Sequence, residues 1–522
     1  MASAAQREVN KYVVTVSVMI PTLIEILDTS IANVSLAHIQ GSLSAGQDEV
    51  TWVLTSYLVS NAIVIPISGW LARLMGRKTY LLASVALFTL ASMLCGMATS
   101  LGQLIFFRVV QGIGGGGLQP MSQAILLEAY PAEERGMAMS VFAMGAVLGP
   151  ILGPLIGGWI TDSYSWRWIF YINVPFGVLA LFLISSFISD PEYMKRREKG
   201  EGVDYVGLAL LAVGLGALQI VLDKGQRDDW FSSDFILTLA VTAGVCLLAF
   251  LVWELTRKQP IVDLREFRDR SFALGNLLMF FGFFAFFGAI VLLPLYLQNL
   301  MGYTAYLAGL VLGPGGLIML LVLPIVGRLT QKMDARILLC MGMLVNAYSL
   351  SYMAGFTLQI DFGTAILARN IQAVGIALFF PPLALLTMAY VPRERMNNAS
   401  AIFNLLRNLG GSFGTAFVTT MLARRAQFHQ ARIVERLNPS QTGYAEALDH
   451  LRRFLDTSLL PPGDTATRAM GEIYNQALRQ ASAMAYLDVF QLQSWIFLVL
   501  AGLLWIMRRP RPGAGQDGPP VH

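Results

Sequence analysis

Apolar runs of about twenty residues follow one another along the whole chain, separated by short polar or charged stretches. A bilayer core about 30 Å thick needs about 20 apolar residues per helix. Fourteen segments meet that length, at roughly 13–36, 50–72, 79–99, 104–127, 137–160, 168–188, 205–222, 235–254, 272–297, 307–326, 337–357, 365–389, 401–422 and 485–507. The first run, Tyr12 to Leu36, follows a short polar tail, lacks a small-residue cleavage site and is succeeded by many runs like it. It is expected to remain as a span and not to be removed as a signal peptide. The pattern predicts an all-α integral membrane protein with 14 transmembrane helices.

Composition sharpens this. Of 522 residues, 55% are hydrophobic and 13% charged, with mean hydropathy +0.58, against about 25% charged in ordinary soluble domains. A net charge of +4 hints at nucleic acid only until the basic residues are located. Of 37 Lys and Arg, 23 fall in tails and loops on one side, whereas the short loops of the other side hold three, Arg167, Lys224 and Arg227. The positive-inside rule then places both termini in the cytoplasm and leaves no nucleic-acid surface to explain. Eight more basic residues lie in one long outer loop, which the rule exempts, and Arg108, Arg369 and Arg407 lie within spans. The three cysteines sit in apolar runs and the four histidines lack metal-ligand spacing, so neither a disulfide nor a metal site is expected.

The chain repeats itself. Arg108-x-x-Gln111, Pro120, Ala129-Tyr130-Pro131, Glu134-Arg135 and Ser140 recur as Arg369-x-x-Gln372, Pro381, Ala389-Tyr390, Glu394-Arg395 and Ser400, and "GWLARLMGRK" from Gly69 matches "GRLTQKMDAR" from Gly327. Two six-helix bundles are expected, residues 1–189 and 272–522, with residues 190–271 a linker carrying two inserted helices. Parallel repeats facing a midplane cavity are the architecture of alternating-access carriers.

At this point the sequence resembles the fourteen-span drug:proton antiporter branch of the major facilitator superfamily, and within it the EmrB-like pumps. The resemblance rests on "LDTSIANVSL" (Leu27 to Leu36), "FFRVVQGIGGGG" (Phe106 to Gly117), "GAVLGPILGPLIGG" (Gly145 to Gly158), "WRWIFYINVPFG" (Trp166 to Gly177), "LPLYLQ" (Leu293 to Gln298) and "NLLRNLGGSFG" (Asn404 to Gly414). It implies a major facilitator fold in the bacterial inner membrane, no cofactor beyond a proton gradient, and a periplasmic membrane-fusion adaptor leading to an outer-membrane channel. The third of these stretches resembles the antiporter motif, with Gly145, Gly149, Pro150, Gly153 and Gly157 as its gating ridge. Gly69 and Arg77 belong to the loop motif between spans two and three. That motif usually has an acid at its fifth position where this chain has Arg73, so its charge network does not carry over intact.

Glu25 and Asp28 lie one turn apart in the first span, on one face, with Cβ atoms about 5–6 Å apart. Two buried carboxyls that close resist simultaneous ionisation, so the pair is expected to hold a proton. Asp28 has three readings: proton coupling, binding of a cationic substrate, or a structural hydrogen bond. Glu25 is open equally to substrate recognition. In the fold that the resemblance implies, span four neighbours span one, so Arg108 is expected to approach the carboxyl; its alternative is to cap carbonyls or Gln111. The stepped glycines of span five let a neighbouring helix come close, and the resemblance to the antiporter motif implies that this tight seam seals the cavity against proton leak. Asn33, Tyr57, Asn61, Gln111, Gln119, Gln123, Gln298, Asn404 and Arg407 are candidates to line the cavity, as are Phe283 and Phe287 from an apolar second half without acids between Asp269 and Asp334. The outer segment 423–484 opens with "RRAQFHQARIVERL" (Arg424 to Leu437), an amphipathic helical extension of span thirteen; it is either an adaptor dock or a flap over the outer mouth.

The leading function is export of hydrophobic or amphipathic toxic compounds in exchange for protons, as the permease of a tripartite system. Proton-coupled transport of a particular metabolite or siderophore is the alternative, and a non-transporting receptor or scaffold a remote one. No phosphate-binding loop, catalytic triad or metal cluster marks an enzyme, and the Gly114 to Gly117 run lies within a span, where a nucleotide cradle does not fit.

Overall fold

The computed structural model of the chain describes residues 10–191, 204–257, 260–436, 442–456 and 465–507. Among these, every regular element is helical. The longer helices, numbered in chain order, are α1 (Lys11–Val34), α2 (Trp52–Met75), α3 (Arg77–Met97), α4 (Leu101–Gly115), α5 (Leu118–Ala129), α6 (Arg135–Ser163), α7 (Asn173–Phe187), α8 (Tyr205–Lys224), α9 (Asp234–Thr256), α10 (Arg270–Asn299), α11 (Ala305–Leu329), α12 (Ala335–Met353), α13 (Phe362–Met388), α14 (Met396–Arg436), α15 (Thr442–Asp456) and α16 (Thr465–Leu503).

Ten of the described helices are long and apolar enough to cross a membrane by length and composition. The other four of the fourteen expected segments are helical as well, in α4 with α5, α6, α12 and α14. The expected fourth span is not one helix: it breaks between Gly115 and Leu118. The glycines at the break are needed for contact. A Cβ on Gly114 would lie 2.5 Å from Phe88 N, one on Gly116 2.7 Å from Val64 Cβ, and one on Gly117 2.3 Å from the Tyr80 hydroxyl. Here the glycine run is a crossing with α2 and α3.

The helices fall into two packed groups. In the first, α1 lies against α6 and α7, α4 against α2 and α3, and α7 against α3. In the second, α10 lies against α14 and α16, and α13 against α11 and α12. The groups meet where α2 and α5 touch α14 and where α6 touches α11 and α13.

Two of these meetings are backbone-close, at the end of the molecule that carries Lys11, Gly76 and Met507 (the near end). A Cβ on Gly69 would fall 2.9 Å from Asn398 Cα, and one on Gly327 3.0 Å from Met137 Cα. Gly69 and Gly327 are repeat-related, as are the stretches they touch, so the two crossings are copies of one contact. Gly76, at φ +85° between α2 and α3, takes a backbone conformation that residues with a Cβ rarely adopt. Arg73 donates to the carbonyl of Pro260 at 3.3 Å, and so ties α2 to the linker before α10.

The inserted pair α8 and α9 stands at the edge of the seam. α8 rests on α2 and more lightly on α14. Thr55 donates to Asp223, Lys224 lies 4.5 Å over the Trp52 ring, Gln219 donates to Ser412 at 3.1 Å, and the Trp230 indole donates to Thr420 at 3.0 Å. α9 leaves an apolar stripe exposed through Val241, Val245, Leu248 and Val252, as a lipid-facing helix does. At the opposite, far end, α14 runs unbroken for 41 residues, about 60 Å at 1.5 Å per residue. That is about twice the hydrocarbon thickness, so its second half stands beyond the bilayer. Segment 423–484 is thus largely helical, built from the ends of α14 and α16 with α15 between; Leu437 lies outside the described residues.

Candidate functional site

The two acids of α1 sit in the buried middle of the helix, Glu25 at 4% exposure and Asp28 at 2%, and each has its own set of partners. Arg108 Nη1 of α4 donates to Asp28 Oδ2 at 2.5 Å. Gln111 and Asn173 each donate an amide N–H to Asp28 Oδ1 at 2.8 Å. Each of these three side chains donates to the carboxyl, so both of its oxygens act as acceptors. Arg108 is itself wholly buried: Nε donates to the Val53 carbonyl at 3.0 Å, Nη1 also to Gln111 at 2.8 Å, and its guanidinium lies 4.2 Å from the Tyr57 ring centre. It therefore pairs with the acid and also caps a carbonyl and binds Gln111.

Glu25 faces differently. Its Oε1 accepts from Tyr57 at 3.3 Å and from Asn61 at 3.2 Å, and its Oε2 from Gln119. Gln119 in turn accepts from Arg407 of α14, and Asn404 of α14 donates to Gln123 at 2.5 Å. Asp28 is thus enclosed by the first group of helices, whereas Glu25 is wired across the seam to the second. Tyr57 stands between the two nests, its ring under Arg108 and its hydroxyl on Glu25. One shared site, expected from the helical spacing, is in the structure two neighbouring ones.

The glycine ridge of α6 packs on the back of α1. Cβ atoms on Gly145, Gly149 and Gly153 would come 2.4 Å from Met19 Cε, 2.2 Å from Ile26 Cγ2 and 2.2 Å from Ser30 Oγ, and one on Gly157 3.0 Å from Ile31 Cγ2. With no side chains of its own there, α6 holds α1 close and turns the acids away from that interface. The side chain of Pro150 lies outside the described residues. Arg77 makes a bidentate pair with Glu128 at 2.9 and 2.7 Å, joining α3 to α5 inside the first group, while Gly69 serves the crossing between groups.

Phe283 is buried at the centre of an aromatic cluster with Phe286, Phe287, Phe379 and Phe380. Asn33 and Gln298 are exposed and lie outside both nests. Sequence reasoning missed Asn173 as a partner of Asp28, although it lies in the quoted stretch that opens the sixth span. Its signal was that of a lone amide in an apolar helix. It also donates to Ser92 at 3.0 Å, which fixes its orientation.

Comparison with known proteins adds a frame to this geometry. Residues 18–415 match the family described as Major Facilitator Superfamily. The chain is 40% identical over 512 residues, 98% of each chain, to the multidrug export protein EmrB of Escherichia coli strain K12. It is 37% identical to the fatty acid resistance protein FarB of Neisseria gonorrhoeae, covering 96% of this chain and 97% of that one. Among solved structures, the proton:xylose symporter XylE superposes with a TM-score of 0.61 at 16% identity, over 96% of this chain and 97% of that one, which shows the shared fold.

Proposed function

The chain belongs to the major facilitator superfamily, and from that premise we propose that it is a proton-coupled antiporter exporting hydrophobic or amphipathic drugs and other toxic compounds across a bacterial inner membrane. Similarity to multidrug export proteins supports the cargo, and the 23 basic residues on one side support cytoplasmic termini. The observation that carries proton coupling is the buried ion pair of Asp28 with Arg108, completed by Gln111 and Asn173. Ionisable groups this deep in a span are costly and are kept where they work.

The mechanism follows from the two nests. A proton arriving at Asp28 removes the charge that holds Arg108. The guanidinium then retains the Val53 carbonyl, Gln111 and the Tyr57 and Phe170 rings. Because that same Tyr57 donates to Glu25, a shift of Arg108 disturbs the Glu25 nest, and through Gln119 the contact with Arg407 on the other bundle. Proton occupancy of the first bundle and closure of the seam thereby bias one two-state equilibrium. The near-end crossings at Gly69 and Gly327 provide matched surfaces about which the bundles rock. One proton crossing supplies about 2.3 kcal/mol per 100 mV, enough for a roughly 50-fold gradient of neutral cargo.

The far-end helices support a role as the permease of a tripartite system. The extension of α14 and the start of α16 carry exposed Phe428, Val434, Met470 and Tyr474, apolar side chains suited to docking a periplasmic adaptor and, through it, an outer-membrane channel. The central test is reconstitution with a pH dye in the lumen. Adding ethidium to wild-type vesicles should release protons in proportion to dye moved; dye movement with no proton flux under an imposed gradient would refute coupling. Replacing Phe428, Val434, Met470 and Tyr474 together by Ser should leave that flux intact and abolish capture of the adaptor.

A further inference from the structure

The internal repeat puts Arg369 and Gln372 on α13 where Arg108 and Gln111 stand on α4, and the local bond is kept: Arg369 Nη1 donates to Gln372 Oε1 at 2.6 Å. The anion is not kept. α10, the counterpart of α1, has no acid, nor do α11, α12 and α13, and the first acid within α14 is Glu435 in its far extension. Asp361, at the start of α13, is exposed and committed to capping Gly363 and Thr364. Among the described residues, two buried donors beside each other, Arg369 Nε and Gln372 Nε2, have no hydrogen-bond partner, and Gln372 is 1% exposed. The stem of Arg369 lies on bare backbone of α11: a Cβ on Gly315 would come 3.0 Å from Arg369 Cγ and 3.4 Å from Nε.

A half-buried guanidinium in a span without an acid is expensive unless an anion joins it. We infer that Arg369 and Gln372 form a recognition seat for the carboxylate head of an amphipathic cargo, the cargo supplying the charge that Asp28 supplies in the first bundle. A guanidinium and an amide N–H offered side by side suit a carboxylate, which accepts at both oxygens, and disfavour a cation. Phe379 and Phe380 lie about 15 Å further along the same helix, within reach of a long apolar tail. The assignment rests on the export reading for calling its ligand cargo.

Its test is a binding measurement, independent of transport. Purified protein in zwitterionic nanodiscs is titrated with dodecanoate and with dodecyltrimethylammonium, which share a tail and differ in head charge. Arg369→Gln should weaken dodecanoate at least about 10-fold and leave the ammonium probe within twofold. Gly315→Leu, whose side chain presses on the Arg369 stem and shifts its guanidinium, should give the same selective loss, with thermal melts confirming that both variants fold. Unchanged dodecanoate binding, or equal loss of both probes, would overturn the assignment. So would competition by phosphatidylglycerol nanodiscs that disappears in Arg369→Gln, since the seat would then belong to a lipid phosphate. If wild-type vesicles fail to exchange ethidium for protons while dodecanoate selectivity holds, the export reading fails and the anion seat stands.

Discussion

The two bundles are built from one repeat and carry different chemistry. Their scaffolds agree: Gly69 on Asn398 and Gly327 on Met137 are the same backbone contact made twice, and Arg108–Gln111 and Arg369–Gln372 the same side-chain bond made twice. Their first helices do not agree. α1 has two acids on one side and faces a glycine ridge on the other; α10 has no acid and a run of phenylalanines, with Phe283 packed into an aromatic cluster. On the reading proposed above, the symmetric parts move together and the asymmetric parts meet different ligands. The contrast separates gating, which symmetry serves, from recognition, which it does not.

The largest effect expected from breaking this contrast is at Asp28. Asp28→Asn should abolish pH-driven transport and, by stranding Arg108 as a buried charge, cost about 3–5 kcal/mol of stability. The double variant with Arg108→Gln should recover the melting temperature and still lack coupling. Recovery of coupling in the double variant, measured by lumenal pH, would move proton handling elsewhere. Next comes the ridge. Gly149→Ala places a methyl 2.2 Å from Ile26 Cγ2 and should open the α1–α6 seam, at about 1–3 kcal/mol of strain, and leak protons without cargo. Gly158→Ala on the same helix meets nothing within 4 Å and should remain tight in the same leak assay.

A smaller and symmetric effect is expected at the crossings. Gly69→Ala and Gly327→Ala should each slow turnover about 10-fold with cargo binding unchanged, because each impedes the same rocking surface. Unequal slowing in stopped-flow transport would show that one crossing dominates. Smallest is Asn404→Ala, which removes the bond to Gln123 across the seam and should cost about 1 kcal/mol in a thermal melt, with cargo selectivity retained.

Much of this was legible along the chain. Long apolar runs, acids inside the first of them, an Arg-x-x-Gln pair twice and glycines at four-residue steps are local features, and each reports a local physical demand: bilayer length, the cost of buried charge, close helix approach. What spacing misjudged was anything decided by a neighbouring helix. Glu25 and Asp28 share a helix face, but α4 and α7 claim one and α2, α5 and α14 the other, so proximity along α1 did not make them one site. Asn173 read as an ordinary polar residue because its meaning depends on Asp28, 145 positions away. Asn33 and Gln298, candidates by polarity, are both exposed and lie outside the two nests.

The sequence by itself determined that this chain lives in a bilayer, that its halves are copies, and that the two acids of the first span have no counterpart in α10, because those properties follow from the period and composition of short segments. Only the tertiary structure decided which donor faces which acid, that Glu25 and not Asp28 is wired to the second bundle, and that Arg369 has no carboxylate partner among the described residues. Such pairings depend on the angles at which helices cross, and those angles are set by close contacts between residues far apart in the chain.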